Sequence, residues 1–125
     1  MFDNEVSIKR IVDYETKETH FLVRVYDGKK LTCKIMILNE NLEILYEKTY
    51  SNDMFIIDYE LTYNASLLVM LIEDNLTLTR ELAVIEYKTD ECIQPPSLNF
   101  NHLFSVRGIF NTHLLVASRD AIYSF

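Results

Sequence analysis

The sequence predicts an all-β protein built from repeated antiparallel units. Three observations carry this. The chain repeats about every 46 residues: His20-Phe21-Leu22-Val23 returns as Ser66-Leu67-Leu68-Val69 and again as His113-Leu114-Leu115-Val116. Each copy is followed by an acid, Asp27, Asp74 and Asp120, and the first two are preceded by Ile11-Val12-Asp13-Tyr14 and Ile56-Ile57-Asp58-Tyr59. The runs between turn residues are short, apolar, β-branched and aromatic, as strands prefer.

The elements follow in order. Residues 21–26 read as a strand, and Asp27-Gly28-Lys29-Lys30 as a hairpin turn, because Asp-Gly is a strong short-range hairpin signal. Residues 31–38 read as its partner, with Cys33, Met36 and Leu38 competing with Ile35 and Ile37 for the inner face. Asn39-Glu40-Asn41 turns the chain into a strand at 41–50, and Ser51-Asn52-Asp53 breaks it again. A strand at 54–62, a turn at 63–65 and a nearly continuous apolar strand at 65–73 follow. The last of these suits burial on both faces. Asp74-Asn75 turns into 76–87, where Arg80-Glu81-Leu82-Ala83 has helix propensity but the flanking strands and threonines favour a strand. Residues 88–99 read as a loop, because Pro95-Pro96 has no place inside a central strand. Residues 103–110 read as a strand with a bulge at Gly108, and 113–118 with 121–125 as a final hairpin.

Counted in four-strand units, the chain forms approximate repeats at 6–50, 54–90 and 102–125, the third stopping after three strands. A period of 40 to 50 residues made of short apolar runs marks a propeller blade or a similar array. The expected fold is therefore propeller-like blades in an incomplete ring, within a single domain spanning 1–125. A small β-barrel or sandwich is the alternative, since short strands at regular spacing suit it equally.

Bulk properties narrow the function. The chain has 125 residues, a net charge of -7 and a pI near 4.9. That charge opposes direct nucleic-acid binding and attraction to an anionic membrane. Met1-Phe2-Asp3-Asn4-Glu5 lacks the apolar run of a signal peptide, and the apolar stretch 67–72 is far too short to span a bilayer. Cys33 and Cys92 stand 59 residues apart, with no second ligand at zinc spacing. The expectation is reduced thiols in the cytoplasm, or else the nucleus.

No phosphate loop, nucleotide-binding glycine fingerprint, zinc-protease helix or nucleophile elbow is present. His20 and His113 are expected in loops before strands, and nothing in the sequence brings Cys92 to His102. The expectation is a protein that is not an enzyme, with no cofactor, no metal and no catalytic residues. Asp27, Asp74 and Asp120 are the most position-specific polar feature. An Asp in a turn caps its own backbone amides; the functional reading is a ring of acids facing a basic partner. Asp13, Glu15, Glu18, Asp58 and Glu60 fall near equivalent positions of the first two repeats and, on one surface, would favour a basic protein partner; Tyr14 and Tyr59 are further candidates because aromatic residues are enriched at interface centres.

Residues 114–125, Leu-Leu-Val-Ala-Ser-Arg-Asp-Ala-Ile-Tyr-Ser-Phe, resemble the central hairpin of a β-propeller blade of the broad WD-repeat type. Residues 21–31 and 67–78 are looser versions. The chain has no Trp and no Gly-His pair. The resemblance implies a rigid scaffold that binds other proteins. Propellers have four to eight blades, so about three leave apolar faces and strand edges open. The expected function is a protein-interaction module that completes its fold with another copy or a larger assembly. Two alternatives stand beside it: an accessory factor on a ribosome or other ribonucleoprotein, docked on basic proteins, and a small barrel binding an apolar ligand.

Overall fold

The computed structural model describes residues 4–13, 16–51, 53–62, 66–93, 103–109, 113–118 and 122–124. Among them every regular element is a strand. In chain order these are β1 (Glu5–Val12), β2 (Thr19–Asp27), β3 (Thr32–Leu38), β4 (Ile44–Tyr50), β5 (Met54–Thr62), β6 (Leu67–Asp74), β7 (Thr79–Glu86), β8 (Glu91–Ile93), β9 (Leu103–Ile109), β10 (His113–Ser118) and β11 (Ile122–Ser124). No helix among the described residues is long and apolar enough to cross a membrane.

The strands form three open antiparallel sheets, β1-β2-β3-β4, β5-β6-β7-β8 and β9-β10-β11. Each is a meander of chain neighbours, so the fold is all-β with incomplete blade-like units. The barrel alternative is corrected: pairing stops at β4 and at β8, and among the described residues no sheet closes on itself.

Several local expectations also need correction. Residues 88–99 do not begin as a plain loop. Thr89 N–H donates to the Glu86 carbonyl at 3.1 Å, and Asp90 takes a left-handed φ of 57°. The chain reverses, and β8 pairs with β7 from Glu86↔Glu91 to Val84↔Ile93. The second unit therefore runs to Ile93, and Pro95 and Pro96 lie outside the described residues. Gly108 sits in regular register opposite Leu114, while the ladder shifts at Ala117/Ser118. His20 and His113 lie within β2 and β10 rather than in loops.

The core lies between the first two sheets. Strand β3 contributes Cys33, Ile35 and Ile37, all fully buried, so its odd positions face inward. Leu22 joins them from β2, against Ile56, Tyr59, Leu61, Leu68, Met70, Ile72, Ile85 and Tyr87 of the second sheet. Burying each large aliphatic side chain contributes roughly 1.5–3 kcal/mol. Strand β6 is buried on both faces, as its continuous apolar run implies. Leu68, Met70 and Ile72 enter this core, while Val69 and Leu71 are buried on the opposite face with Leu82. Strand β9 of the third sheet runs alongside β5 and β6.

The structural repeat differs by one residue from the apolar repeat. Asp27 Oδ1 accepts the N–H groups of Lys29 and Lys30 at 3.0 and 3.2 Å; Asp74 Oδ1 accepts those of Leu76 and Thr77 at 2.9 and 3.4 Å. Each turn then places a leucine at positive φ, Leu31 at 55° and Leu78 at 58°. Gly28 is not at positive φ, so the turn is not the two-residue type that Asp-Gly suggests. These landmarks stand 47 residues apart, whereas the Leu-Val runs align at 46. A slip of one residue exchanges the two faces of a strand. Leu22 therefore corresponds to Val69, and Val23 to Met70.

Candidate functional site

The 47-residue correspondence identifies a surface. Phe21, Val23, Val25, Met36 and Leu38 correspond to Leu68, Met70, Ile72, Ala83 and Ile85. In the second sheet all five of those positions belong to, or pack on, the core that the first sheet covers. In the first sheet the same face is turned away from that core. Strand β1 extends it, because Val6, Ile8 and Val12 pair with Val25, Val23 and Thr19, and directly opposed residues share a face. Val6, Ile8 and Val12 are 59%, 63% and 46% exposed. The face is mixed: Arg10 pairs with Phe21 on it, Lys34 and Glu47 form an ion pair beside Met36, and Val23 is itself buried, so its exposed apolar part is the β1 edge with Val6, Ile8 and Val12.

The opposite, inward face of β1 carries a polar seam to β5. Strand β5 has a bulge between Ile56 and Asp58, which leaves Ile57 without a cross-strand partner in the ladder. Arg24 fills the gap. Its Nη1 donates to the carbonyls of Ile56 and Ile57 at 2.9 and 3.2 Å, and its Nη2 to Glu5 at 3.3 Å. Its guanidinium lies 5.5 and 5.4 Å from the Phe55 and Tyr59 ring centroids. Lys9 Nζ donates to Asp58 Oδ1 at 3.1 Å and to the Tyr59 carbonyl at 2.7 Å, and sits 4.4 Å over the Tyr59 ring. The Tyr59 hydroxyl is hydrogen-bonded to Ser7.

The candidate residues sort accordingly. Tyr59 is 1% exposed and held inside the chain by Ser7, Lys9 and Arg24. The expectation that it faces a partner is corrected, because its ring is part of the joint between sheets. Asp27 and Asp74 cap their own turns, so one carboxylate oxygen of each is already engaged. Tyr14 and Asp120 lie outside the described residues. Asp13 and Asp58 are not equivalent: Asp13 is buried in the β1–β2 connection, where its Oδ1 accepts the Thr16 N–H at 3.3 Å, whereas Asp58 is a strand residue paired to Lys9.

Sequence reasoning missed both the seam and the face. Val6, Ile8 and Val12 fall on alternate positions interrupted by Arg10, a partial signal for the face. Arg24 had none, because its acceptors are carbonyls exposed by a bulge 32 and 33 residues away. The thiol chemistry is asymmetric. Cys33 is buried and its thiol is pushed up by that burial, while Cys92 is exposed, and both are free. No protein-family model and no curated protein matches this chain.

Proposed function

We propose that this chain is a non-enzymatic protein-interaction module whose stack of blade-like sheets is completed by another polypeptide. One observation carries the reading: the outer face of the first sheet corresponds, position by position, to the face of the second sheet that the first covers. On the first sheet the second sheet does not cover this face, and Val6, Ile8 and Val12 are exposed on it. The occupant it suits is the apolar face of another antiparallel sheet, approaching head to tail. A second copy supplies another such sheet. Two copies then give six sheets, within the range of closed propellers, with each copy's first sheet on the other's third. The resemblance to WD-type blades supports the same reading, and the two free thiols suit the reducing cytoplasm.

Light scattering after size exclusion tests this. The wild-type chain is expected at the mass of two copies. Ile8→Asp places a carboxylate among the exposed apolar side chains of β1, which desolvation penalises on docking, and it is expected at the mass of one copy with its circular dichroism spectrum retained. A wild-type chain that stays a soluble single copy at every concentration refutes the proposal. So does an Ile8→Asp dimer as stable as the wild type.

A further inference from the structure

The turns at one end of the first two sheets enclose a cleft of about 610 Å³, within the size range of ligand sites. Asp13, Glu18 and His20 line it from the β1–β2 connection and the start of β2, Glu40 from the β3–β4 turn, and Tyr87 and Lys88 from the end of β7 onward. Among the described residues, three carboxylates line it with one ammonium group. Two of the acids are held in place by backbone: Asp13 accepts the Thr16 N–H, and Glu40 Oε1 accepts the Thr19 N–H at 2.9 Å. Burial pushes the Tyr87 phenol up, and the charges of Glu18 and Asp13 push it further, so the negative field reaches the aromatic wall.

His20 supplies an independent observation. It is 7% exposed and among the residues that line the cleft, and its Nδ1, itself buried, has no hydrogen-bond partner among the described residues. Buried polar nitrogens are almost always satisfied. The neutral imidazole keeps one acceptor nitrogen, so a hydrogen-bond donor entering the cleft would meet that need.

We propose that this cleft binds the guanidinium group of an arginine in a partner peptide. Guanidinium is a cation with five donors and no acceptor. Carboxylates and an acceptor imidazole nitrogen complement it, and its planar fork engages a carboxylate through two bonds at once. The site is at the opposite end of the sheets from the Asp27 and Asp74 turns and does not depend on docking at the outer face of the first sheet.

The test is fluorescence anisotropy of a labelled Gly-Ser peptide carrying two arginines, titrated with the intact chain. Saturable binding, weakened by added salt, is expected. Glu18→Gln with Glu40→Gln removes two charges, while the new amide oxygen at position 40 still accepts the Thr19 N–H, so the fold is retained. That double variant is expected to bind about tenfold more weakly. Asp27→Asn with Asp74→Asn removes the same charge at the other end and is expected to stay within about twofold. The ¹⁵N resonance of the His20 imidazole is expected to move on titration. Equal weakening by the two double variants, no saturable binding, or an unmoved His20 resonance overturns the proposal.

Discussion

Replacing Arg24 with methionine probes the joint between the first two sheets. The methionine retains a stem that packs on Phe55 and Tyr59 but cannot donate to the Ile56 and Ile57 carbonyls. A hydrogen bond from a charged donor contributes about 1.5–3 kcal/mol net, and a buried acceptor left unpaired costs about 1–3 kcal/mol. The Arg24 side chain is only 13% exposed, so solvent screens these bonds little. Glu5 is 63% exposed, and its bond adds less than about 1 kcal/mol. Taking the lower value for each of two carbonyl bonds, the expected loss is about 3 kcal/mol. With a urea slope near 2 kcal/mol per molar, the unfolding midpoint falls by about 1.5 M. The assay is urea unfolding by circular dichroism at one fixed protein concentration, since association also shifts the midpoint. Arg24→Lys keeps the charge but loses the fork, and should fall between the two. A shift below about 0.3 M for Arg24→Met would show that the bulge carbonyls are satisfied without Arg24 and would refute the reasoning.

Two further outcomes are expected. Burial, then the charges of Cys92 and Glu81, pushes the Tyr50 phenol up to about 12 from its ordinary value of 10.0. The fold favours the neutral phenol, so this contribution is whole below pH 10 and is lost as pH rises through about 12; alkaline unfolding should coincide with tyrosinate absorbance in that window, and Tyr50→Phe should move it to higher pH. Asp27→Ala and Asp74→Ala each remove the acceptor for two turn amides and should each cost about 1 kcal/mol, additively, in chemical denaturation, whereas the Asn variants keep the acceptor and should cost much less.

The sequence by itself determined the class of structure and most of its strands. Strict turn chemistry around Asp27, Asn39 and Asp74 cuts the chain into strand-length runs, and those runs are too short and too β-branched for helices. The run from Leu67 to Ile72 announced burial on both faces, and β6 has it. Local composition is enough for such statements because they concern neighbours in the chain.

Only the tertiary structure decided which face is which. A run such as Leu67-Leu68-Val69 is apolar at every position, so it carries no alternation and aligns as well at 46 residues as at 47. The hydrogen bonds of the two Asp turns set the true offset, and with it the identity of the outer face. The fates of Tyr59 and Asp13 were hidden for the same kind of reason. Each is polar or amphipathic, and burial suits such a group only when a distant residue satisfies it. For Tyr59 those residues are Ser7, Lys9 and Arg24, brought together by one sheet packing on the next. Strand β8, three residues long, is too short for propensity to declare and exists because β7 offers it an edge. Short-range chemistry specified the strands, and long-range packing and hydrogen bonding chose which of their faces entered the core.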